Sequence, residues 1–316
     1  MTNRQTKPMV LAAYLAAVML VLALMSYYIP FFSALAFFIM PIPMAVVYVQ
    51  YGLRYTILTG VVSSVLMGIF INVGAAVSLL CTFGAVGLCL GMGFRHRWHS
   101  FKLLSAVTVT ILVSFILEMA VLQVVSGVDM GAMLSEQTAQ LPELLMAQYR
   151  ASGMSDVELL EAENQIQQLI KVLPTLIPLA MCLAGSIVAY GEIRAAQLVM
   201  TRIGLSIPPF LPMREWQLPR AMVYVYILAM VAKYWGTTRE IDALMVVGLN
   251  LEQLATFAIV VQGIACILFW LSRKMTMRPV FQVLLVLLLF FEFYFFTLVV
   301  GMFDMLFQYR KRQQGK

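Results

Sequence analysis

Residues 7–54 read KPMVLAAYLAAVMLVLALMSYYIPFFSALAFFIMPIPMAVVYVQYGLR, two long apolar runs joined by a short turn at Pro30. Each run is close to the roughly 20 residues that an α-helix needs to cross a bilayer. Pro41 and Pro43 interrupt the second run. Because proline lacks an amide hydrogen and has a fixed φ, these two residues predict a kink that frees carbonyl groups at membrane depth. The stretch therefore predicts a helical hairpin in a membrane.

Alanines recur at helical spacing on the first run, Ala12 with Ala16 and Ala13 with Ala17. Small side chains at this spacing leave a shallow groove along a helix, and another helix can approach its backbone closely there. We therefore predict that these four alanines form a face on which a partner helix docks.

The composition is 62% hydrophobic and only 11% charged, whereas a soluble domain is about half apolar and about a quarter charged. This excludes an ordinary soluble protein and predicts an all-α, polytopic transmembrane bundle of about eight to nine helices in a lipid bilayer. The net charge is +6, but the basic residues lie in short loops between apolar runs. They indicate membrane topology, and no nucleic acid partner is expected.

Breaks between the apolar runs predict the organisation of the chain. Residues 1–203 hold six apolar runs, with an acidic, helical, extracytoplasmic excursion at 126–171. The sequence GLSIPPFLP opens a cytoplasmic, proline-rich linker at 204–219, because proline and glycine stop a helix. Residues 220–316 then form the C-terminal membrane helices and a basic tail.

The positive-inside rule places the N-terminus and most arginine-bearing loops on the cytoplasmic side. Nine crossings then leave the tail Arg310-Lys311-Arg312 outside, which the rule disfavours. A last helix that is amphipathic or re-entrant gives eight crossings and returns the tail to the inside. The pattern leaves both alternatives open.

Four polar residues lie within apolar runs: Glu118, Asn250, Gln262 and Glu292. Polar groups at membrane depth are costly and often mark a ligand or proton site, although each can equally make a structural hydrogen bond between helices. We predict ligand binding at these four residues and keep the structural alternative for each. The long run from 242 to 270 also predicts a re-entrant or flat half-helix that ends before Asn250.

Other motifs favour structure over chemistry. Gly87 and Gly91 form a GxxxG pattern that is typical of close helix packing. His96 and His99 have no third ligand within the motif, so we expect a solvated loop and no metal site. The apolar runs contain no histidine and no paired carboxylates at helical spacing. The chain is therefore not expected to be an enzyme or to hold a cofactor.

Short motifs spread over most of the chain resemble the YybS-like family of uncharacterised bacterial multi-pass membrane proteins. They are the Pro41-Ile42-Pro43 break with Tyr51-Gly52-Leu53-Arg54, Trp216-x-x-Pro219, Leu249-Asn250-Leu251, Gln262-Gly263, and Gly301-x-x-Asp304 with Arg310-Lys311. This resemblance implies a polytopic membrane fold and brings no established activity.

More loosely, residues 9–200 resemble the six-helix substrate-binding component of energy-coupling-factor vitamin transporters, in the order of the spans, the proline-rich second span and the alanine face. The resemblance implies small-molecule binding or transport, with docking onto a membrane coupling protein that works with ATPase subunits. The chain has no G-x-x-x-x-G-K-[ST] motif of its own. The alternative function is a membrane scaffold or regulator of an envelope protein, without transport.

Overall fold

The computed structural model describes residues 3–127, 130–152, 156–274, 278–308 and 310. Within them the chain forms thirteen α-helices. The first seven are α1 (Asn3–Tyr28), α2 (Pro30–Ile39), α3 (Ile42–Tyr51), α4 (Leu53–Phe70), α5 (Val73–Ser78), α6 (Ala85–Arg95) and α7 (Ser100–Ser126). The others are α8 (Met130–Ala151), α9 (Asp156–Arg202), α10 (Ala221–Thr238), α11 (Asp242–Lys274), α12 (Pro279–Phe291) and α13 (Tyr294–Phe307).

The described residues confirm the predicted all-α membrane fold. Seven helical stretches are long and apolar enough to cross a bilayer, and the bent pair α12–α13 would make eight if it formed one span. The helix α10 lies in the region 220–316, where we predicted membrane helices, and it is not among the seven. The chain divides into two compact units, residues 1–174 with 184–210, and residues 175–183 with 211–316. The predicted boundaries at 203 and 219 stay a prediction.

The proline break in the second span is confirmed. The chain turns at Met40–Pro41 between α2 and α3. Beyond the break α3 packs on α6, and the two predicted close-packing glycines lie at the contact. A methyl group at Gly87 would meet the carbonyl of Pro41, and one at Gly91 would overlap the side chain of Tyr48. The GxxxG pattern therefore serves helix packing within the first unit.

The helix that follows Asn72 contains a π-helical segment, Leu79–Gly84, between α5 and α6. Asn72 caps its N-terminus by accepting a hydrogen bond from the amide of Ala75 at 2.8 Å. Wider turns of this kind are rare and often occur at functional positions. Here the segment contains Thr82 and follows directly after Ser78, and the hydroxyls of both residues donate hydrogen bonds to Glu118.

The predicted H-x-x-H loop lies between α6 and α7. His96 and His99 are both exposed. The Nδ1 atom of His99 accepts a hydrogen bond from the amide of Phe101 at 3.3 Å, so His99 caps the N-terminus of α7. The loop is therefore the solvated connection that the sequence predicts.

In the second unit, α10 and α11 form a hairpin in which glycine lets the backbones meet. A methyl group at Gly236 would overlap the backbone of Met245, and one at Gly248 would overlap the backbone of Lys233. The predicted half-helix that ends before Asn250 is wrong, because α11 is continuous over 33 residues. The contacts at Gly248 and Asn250 hold this helix against its neighbours, and no proline interrupts it.

The helices α12 and α13 meet at a bend of 98°. They contain 13 and 14 residues, about 20 Å of helix each, and the hydrocarbon core is about 30 Å thick. Pro279 follows closely after the end of α11, and the guanidinium carbon of Arg310 lies 6.0 Å from the ring centre of Phe269, near that same end. Both ends of the bent pair therefore lie at one end of α11, which is the geometry of a re-entrant hairpin. This favours the alternative that returns the basic tail to the inside.

Candidate functional site

A buried polar cluster lies in the second unit and contains one of the predicted residues, Gln262 on α11. Gln262 is 2% exposed. Its Nε2 atom donates a hydrogen bond to Oδ2 of Asp304 at 2.6 Å, and its Oε1 atom accepts one from the amide of Leu218 at 2.9 Å. The side chain therefore joins α11 both to α13 and to the segment that precedes α10.

Asp304 and Arg310 form the charged part of the cluster. Arg310 donates to Oδ2 of Asp304 from Nε at 2.9 Å and from Nη2 at 2.6 Å. It also donates from Nη1 to the carbonyl of Arg214 at 3.0 Å and from Nη2 to the carbonyl of Trp216 at 2.9 Å. Removing two charges from water is costly, and these hydrogen bonds offset part of that cost. The arrangement fixes the segment around Trp216 against the end of α13.

Two glycines at a helix crossing bring together α11, which contains Gln262, and α13, which contains Asp304. A side chain at Gly263 would collide with the carbonyl of Thr297, and a side chain at Gly301 would collide with the carbonyl of Ile259. Because neither residue has one, α11 and α13 cross in backbone contact. Gln262 is adjacent to the first glycine and Asp304 lies one turn after the second, so the crossing sets the distance between them.

The second carboxylate oxygen of Asp304, Oδ1, is buried and has no hydrogen-bond partner among the described residues. A buried polar atom without a partner normally costs about 1–3 kcal/mol. Asp304 lines a cavity of about 370 Å³, together with Gln217, Leu218, Pro219, Arg220, Gln262, Met305, Gln308 and Arg310. This volume lies within the range of small-molecule sites, about 300–1,000 Å³. The cavity therefore combines room for a ligand with an acceptor atom that has no partner.

Asn250 has a different environment. Its Nδ2 atom donates to the carbonyls of Thr175 at 2.6 Å and Val246 at 2.9 Å, and its Oδ1 atom accepts from the amide of Leu179 at 3.2 Å. Thr175 and Leu179 are separated by four residues, the spacing of a helical hydrogen bond, and Pro178 lies between them. Asn250 thus binds the backbone of α9 beside a proline, which favours the structural alternative for this residue.

Glu118 on α7 is half-buried in the first unit. Its two carboxylate oxygens accept hydrogen bonds from the hydroxyls of Ser78 and Thr82. Ser78 directly precedes the π-helical segment and Thr82 lies within it. Ser78 also lines a mostly apolar cavity of about 240 Å³. The contacts join α7 to its neighbour, and both alternatives for Glu118 remain predictions.

Glu292 is exposed and ends α12 at the 98° bend. The predicted ligand-binding role of Glu292 stays a prediction, at an exposed position beside the bend. Within the second unit, the structure therefore does not bring Asn250 and Glu292 to Gln262. Glu118 belongs to the first unit.

The four alanines of α1 divide between two environments. Ala12 and Ala16 are buried, 3% and 1% exposed, whereas Ala13 and Ala17 are exposed. One turn further along the buried side, Sδ of Met19 accepts a hydrogen bond from the hydroxyl of Ser63 on α4 at 3.6 Å. The buried pair thus lies on a side of α1 that already contacts this chain. Docking of a partner on α1 remains a prediction that depends on Ala13 and Ala17.

Asp304 and Arg310 were not among the residues that we predicted to bind a ligand. Asp304 lies at the end of an apolar run and Arg310 in a basic tail, positions that usually indicate solvent. Glu192 is a second omission. It is 2% exposed, and its Oε2 atom has no hydrogen-bond partner among the described residues. Ala189 and Ala196 lie three residues before and four residues after Glu192, which is the spacing of one helix face, and this spacing was the available signal for Glu192.

Comparison with known families matches residues 17–305 to the family described as "Predicted membrane protein (DUF2232)". The chain belongs to this family. It is also 24% identical over 276 residues to the "Uncharacterized protein YybS" of Bacillus subtilis (strain 168), covering 86% of each chain. The expected YybS-like resemblance is confirmed, and the chain is an integral membrane protein. Neither description names a transporter. No solved structure matches the chain.

Several motifs that carried the family resemblance meet in the second unit. Gln262-Gly263, Gly301-x-x-Asp304 and Arg310 form the crossing and the polar cluster, while Trp216 contributes a carbonyl and Pro219 lines the cavity. These motifs lie far apart in the sequence, and the fold brings them to one place. This cluster, with its cavity, is the candidate site of the molecule, and we call it the Asp304 pocket.

Proposed function

We propose that this protein binds a small polar molecule in the Asp304 pocket, and that binding serves transport across a bacterial plasma membrane. The observation that carries the proposal is that Oδ1 of buried Asp304 has no hydrogen-bond partner among the described residues, while Asp304 lines a cavity of about 370 Å³. A ligand with a hydrogen-bond donor would satisfy this atom and offset the cost of its burial. No catalytic step is included in the proposal.

Transport would need a source of energy outside this chain. Because the sequence has no P-loop motif, ATP hydrolysis would be supplied by partner subunits, as the looser resemblance to energy-coupling-factor components implies. Exposed Ala13 and Ala17 on α1 support such a contact, because another helix could approach the backbone there.

The binding proposal is tested with purified protein in mild detergent. Thermal unfolding and native mass spectrometry would be measured against a library of neutral, cationic and anionic metabolites. We expect at least one class to raise the unfolding temperature and to be retained in the mass spectrum, and we expect Asp304→Asn to weaken the effect. Glu292→Gln makes the same chemical change at an exposed acid and should leave it unchanged. Binding by no metabolite would reject the proposal.

The partner proposal is tested by pull-down of the tagged protein. Ala13→Leu with Ala17→Leu adds bulk to the exposed alanine positions, and Val10→Leu with Val21→Leu adds bulk at other exposed positions of α1. We expect an ATPase-bearing complex with the native protein and the valine variant, and its loss from the alanine variant. If no ATPase accompanies the native protein, the coupling-factor analogy fails and binding alone remains proposed.

A scaffold or regulator is the alternative function, and α8 favours it. Glu136 and Glu143 on this helix are exposed, as are the apolar residues Met133 and Leu144. An amphipathic, acidic helix of this kind is a suitable surface for an envelope protein. Stable co-purification of such a protein through α8, together with unchanged nutrient uptake in a deletion strain, would favour this alternative over transport.

A further inference from the structure

The chemical class of the ligand is inferred from the hydrogen-bond donors and acceptors around the Asp304 pocket that have no partner among the described residues. Arginine has five N–H donors, and the Nη1 and Nη2 groups carry two each. Arg310 uses Nε once, Nη2 twice and Nη1 once. Among the described residues, one N–H on Nη1 therefore has no acceptor. The carboxamide of Gln262 donates one of its two N–H groups to Asp304, and the other has no acceptor in the described part of the chain.

Arg220 adds a further cation at the edge of the pocket. Its side chain is exposed, and within the described part of the chain it makes no ion pair. Among the residues that line the cavity, Arg220 and Arg310 are positive and Asp304 is negative. The described lining residues therefore have a net charge of +1, with donors that still lack partners and one acceptor without a hydrogen-bond partner, Oδ1 of Asp304.

We propose that the pocket takes a small anion, with a carboxylate or phosphate group, that also carries a hydroxyl or amine donor. The anionic group binds the guanidinium of Arg220 and the remaining donors of Arg310 and Gln262. Charged, planar donors of this kind suit carboxylate and phosphate oxygens. The donor group of the ligand binds Oδ1 of Asp304. This inference rests on the proposed function and names the class of molecule that the site would select.

Two sources can supply this chemistry, a free hydroxy acid or phosphate ester, and the headgroup of an anionic lipid. The re-entrant geometry of α12 and α13 puts Arg310 at the end of α11 where Arg273 and Lys274 also lie. The positive-inside rule assigns this end to the cytoplasmic side, beside the lipid headgroups. The same contacts would hold either molecule, so the experiment separates the two sources.

The experiment measures binding to the full-length protein by the shift in unfolding temperature as the solute concentration is raised. Lactate and propionate form a matched pair that differs in one hydroxyl. Glycerol 3-phosphate is a second anion with donors, glycerol is neutral and choline is cationic. For the lipid source, the protein is compared in nanodiscs of phosphatidylglycerol and of phosphatidylcholine. Each measurement is repeated with Arg220→Gln and with Arg214→Gln, a matched control whose side chain does not line the pocket.

We expect lactate and glycerol 3-phosphate to bind more tightly than propionate, with no shift from glycerol or choline. Arg220→Gln should weaken their binding about tenfold or more, because a charge-assisted hydrogen bond is lost, and Arg214→Gln should not. A shift with phosphatidylglycerol alone that Arg220→Gln abolishes would identify the lipid as the source. Binding of glycerol or choline, unaffected by Arg220→Gln, would overturn the ligand class and leave the binding proposal standing. If no solute and no lipid shifts the unfolding temperature, both the ligand class and the binding proposal are overturned.

Discussion

Asp304 and Arg310 form an ion pair at 2.6 Å whose side chains are only 4% and 1% exposed. The pair joins the end of α13 to the basic tail of the chain. Arg310 extends the same interaction to the carbonyls of Arg214 and Trp216, nearly 100 residues earlier in the sequence. Among the described residues, Oδ2 of Asp304 accepts all of these hydrogen bonds and Oδ1 has no hydrogen-bond partner, so the pair has a structural role and leaves one acceptor for the proposed ligand.

Breaking this ion pair from one side should destabilise the protein strongly. Arg310→Ala and Asp304→Ala each leave a buried charge without its partner, which costs about 3–5 kcal/mol. The double variant should lose less than the sum of the two, because it leaves neither charge alone. Unfolding in detergent measures all three. Arg214→Ala removes a half-exposed side chain and serves as control, with an expected loss of at most about 1 kcal/mol. Additive losses in the double variant would contradict this prediction.

The crossing of α11 and α13 should not tolerate a methyl group. Gly301→Ala and Gly263→Ala force a side chain against a backbone carbonyl, and overpacking of this kind costs about 1–3 kcal/mol or more. Gly68→Ala is a matched control, because a methyl group there meets only the side chain of Ala76 at 3.4 Å. We expect lower unfolding temperatures for the first two variants and no decrease for the third. Equal unfolding temperatures for the three variants would contradict backbone contact between α11 and α13 at these glycines.

Asn250 should stabilise the protein through the backbone of α9. Asn250→Ala removes one hydrogen bond to the carbonyl of Thr175 and one from the amide of Leu179. At membrane depth no water replaces it, so we expect a loss of about 1–3 kcal/mol. Gln253→Ala, one turn later on the same helix, is the control and should cost less. If Asn250→Ala instead abolished ligand binding at unchanged stability, the structural assignment of this residue would be wrong.

Two substitutions can decide whether Glu118 has a structural role or binds a ligand. Glu118→Gln keeps an acceptor for the hydroxyl of Ser78 or Thr82, whereas Glu118→Ala removes the acceptor of both hydroxyls. Hydrogen bonds between membrane helices average about 0.6 kcal/mol, so the alanine variant should lose about 1 kcal/mol and the glutamine variant less. Unchanged ligand binding in Glu118→Gln would establish the structural alternative. A loss of binding or uptake at normal stability would instead make the charge of Glu118 functional.

The re-entrant geometry of α12 and α13 predicts that the C-terminus is cytoplasmic. Green fluorescent protein fused after residue 316 should fluoresce in a bacterial host, and alkaline phosphatase fused there should be inactive. Fusions in the acidic excursion near residue 152 should give the opposite pattern, because that segment is predicted to be outside. An active phosphatase at the C-terminus would show that α12 and α13 cross the membrane as one bent span.

The sequence predicted the class of the fold and many of its local features. Long apolar runs without water-facing stripes have one stable solution in lipid, the closed hydrogen bonding of helices. The break at Pro41 and the contact at Gly87 and Gly91 followed from local chemistry, because proline removes a donor and glycine removes a side chain. These features depend on neighbours in the sequence and could be predicted from it.

The candidate site was only partly predictable. Gln262 was identified because a polar residue in an apolar run is conspicuous, and the same rule selected Glu292, which is exposed at the bend between α12 and α13. Arg310 was not identified, because a basic residue near the end of a chain usually faces solvent. The rule indicates which residues are polar at depth, but it does not indicate which of them face one another.

The sequence by itself determined that this protein is a helical membrane protein of its family, with proline and glycine at its breaks and contacts. The tertiary structure decided that α11 and α13 cross at Gly263 and Gly301, and that Gln262, Asp304 and Arg310 therefore meet beside a cavity. The physical reason is that helix formation and membrane insertion are governed by local composition, whereas a polar site depends on distances between helices. Those distances are set by which small residues let two backbones touch, and this is fixed only when the whole unit packs.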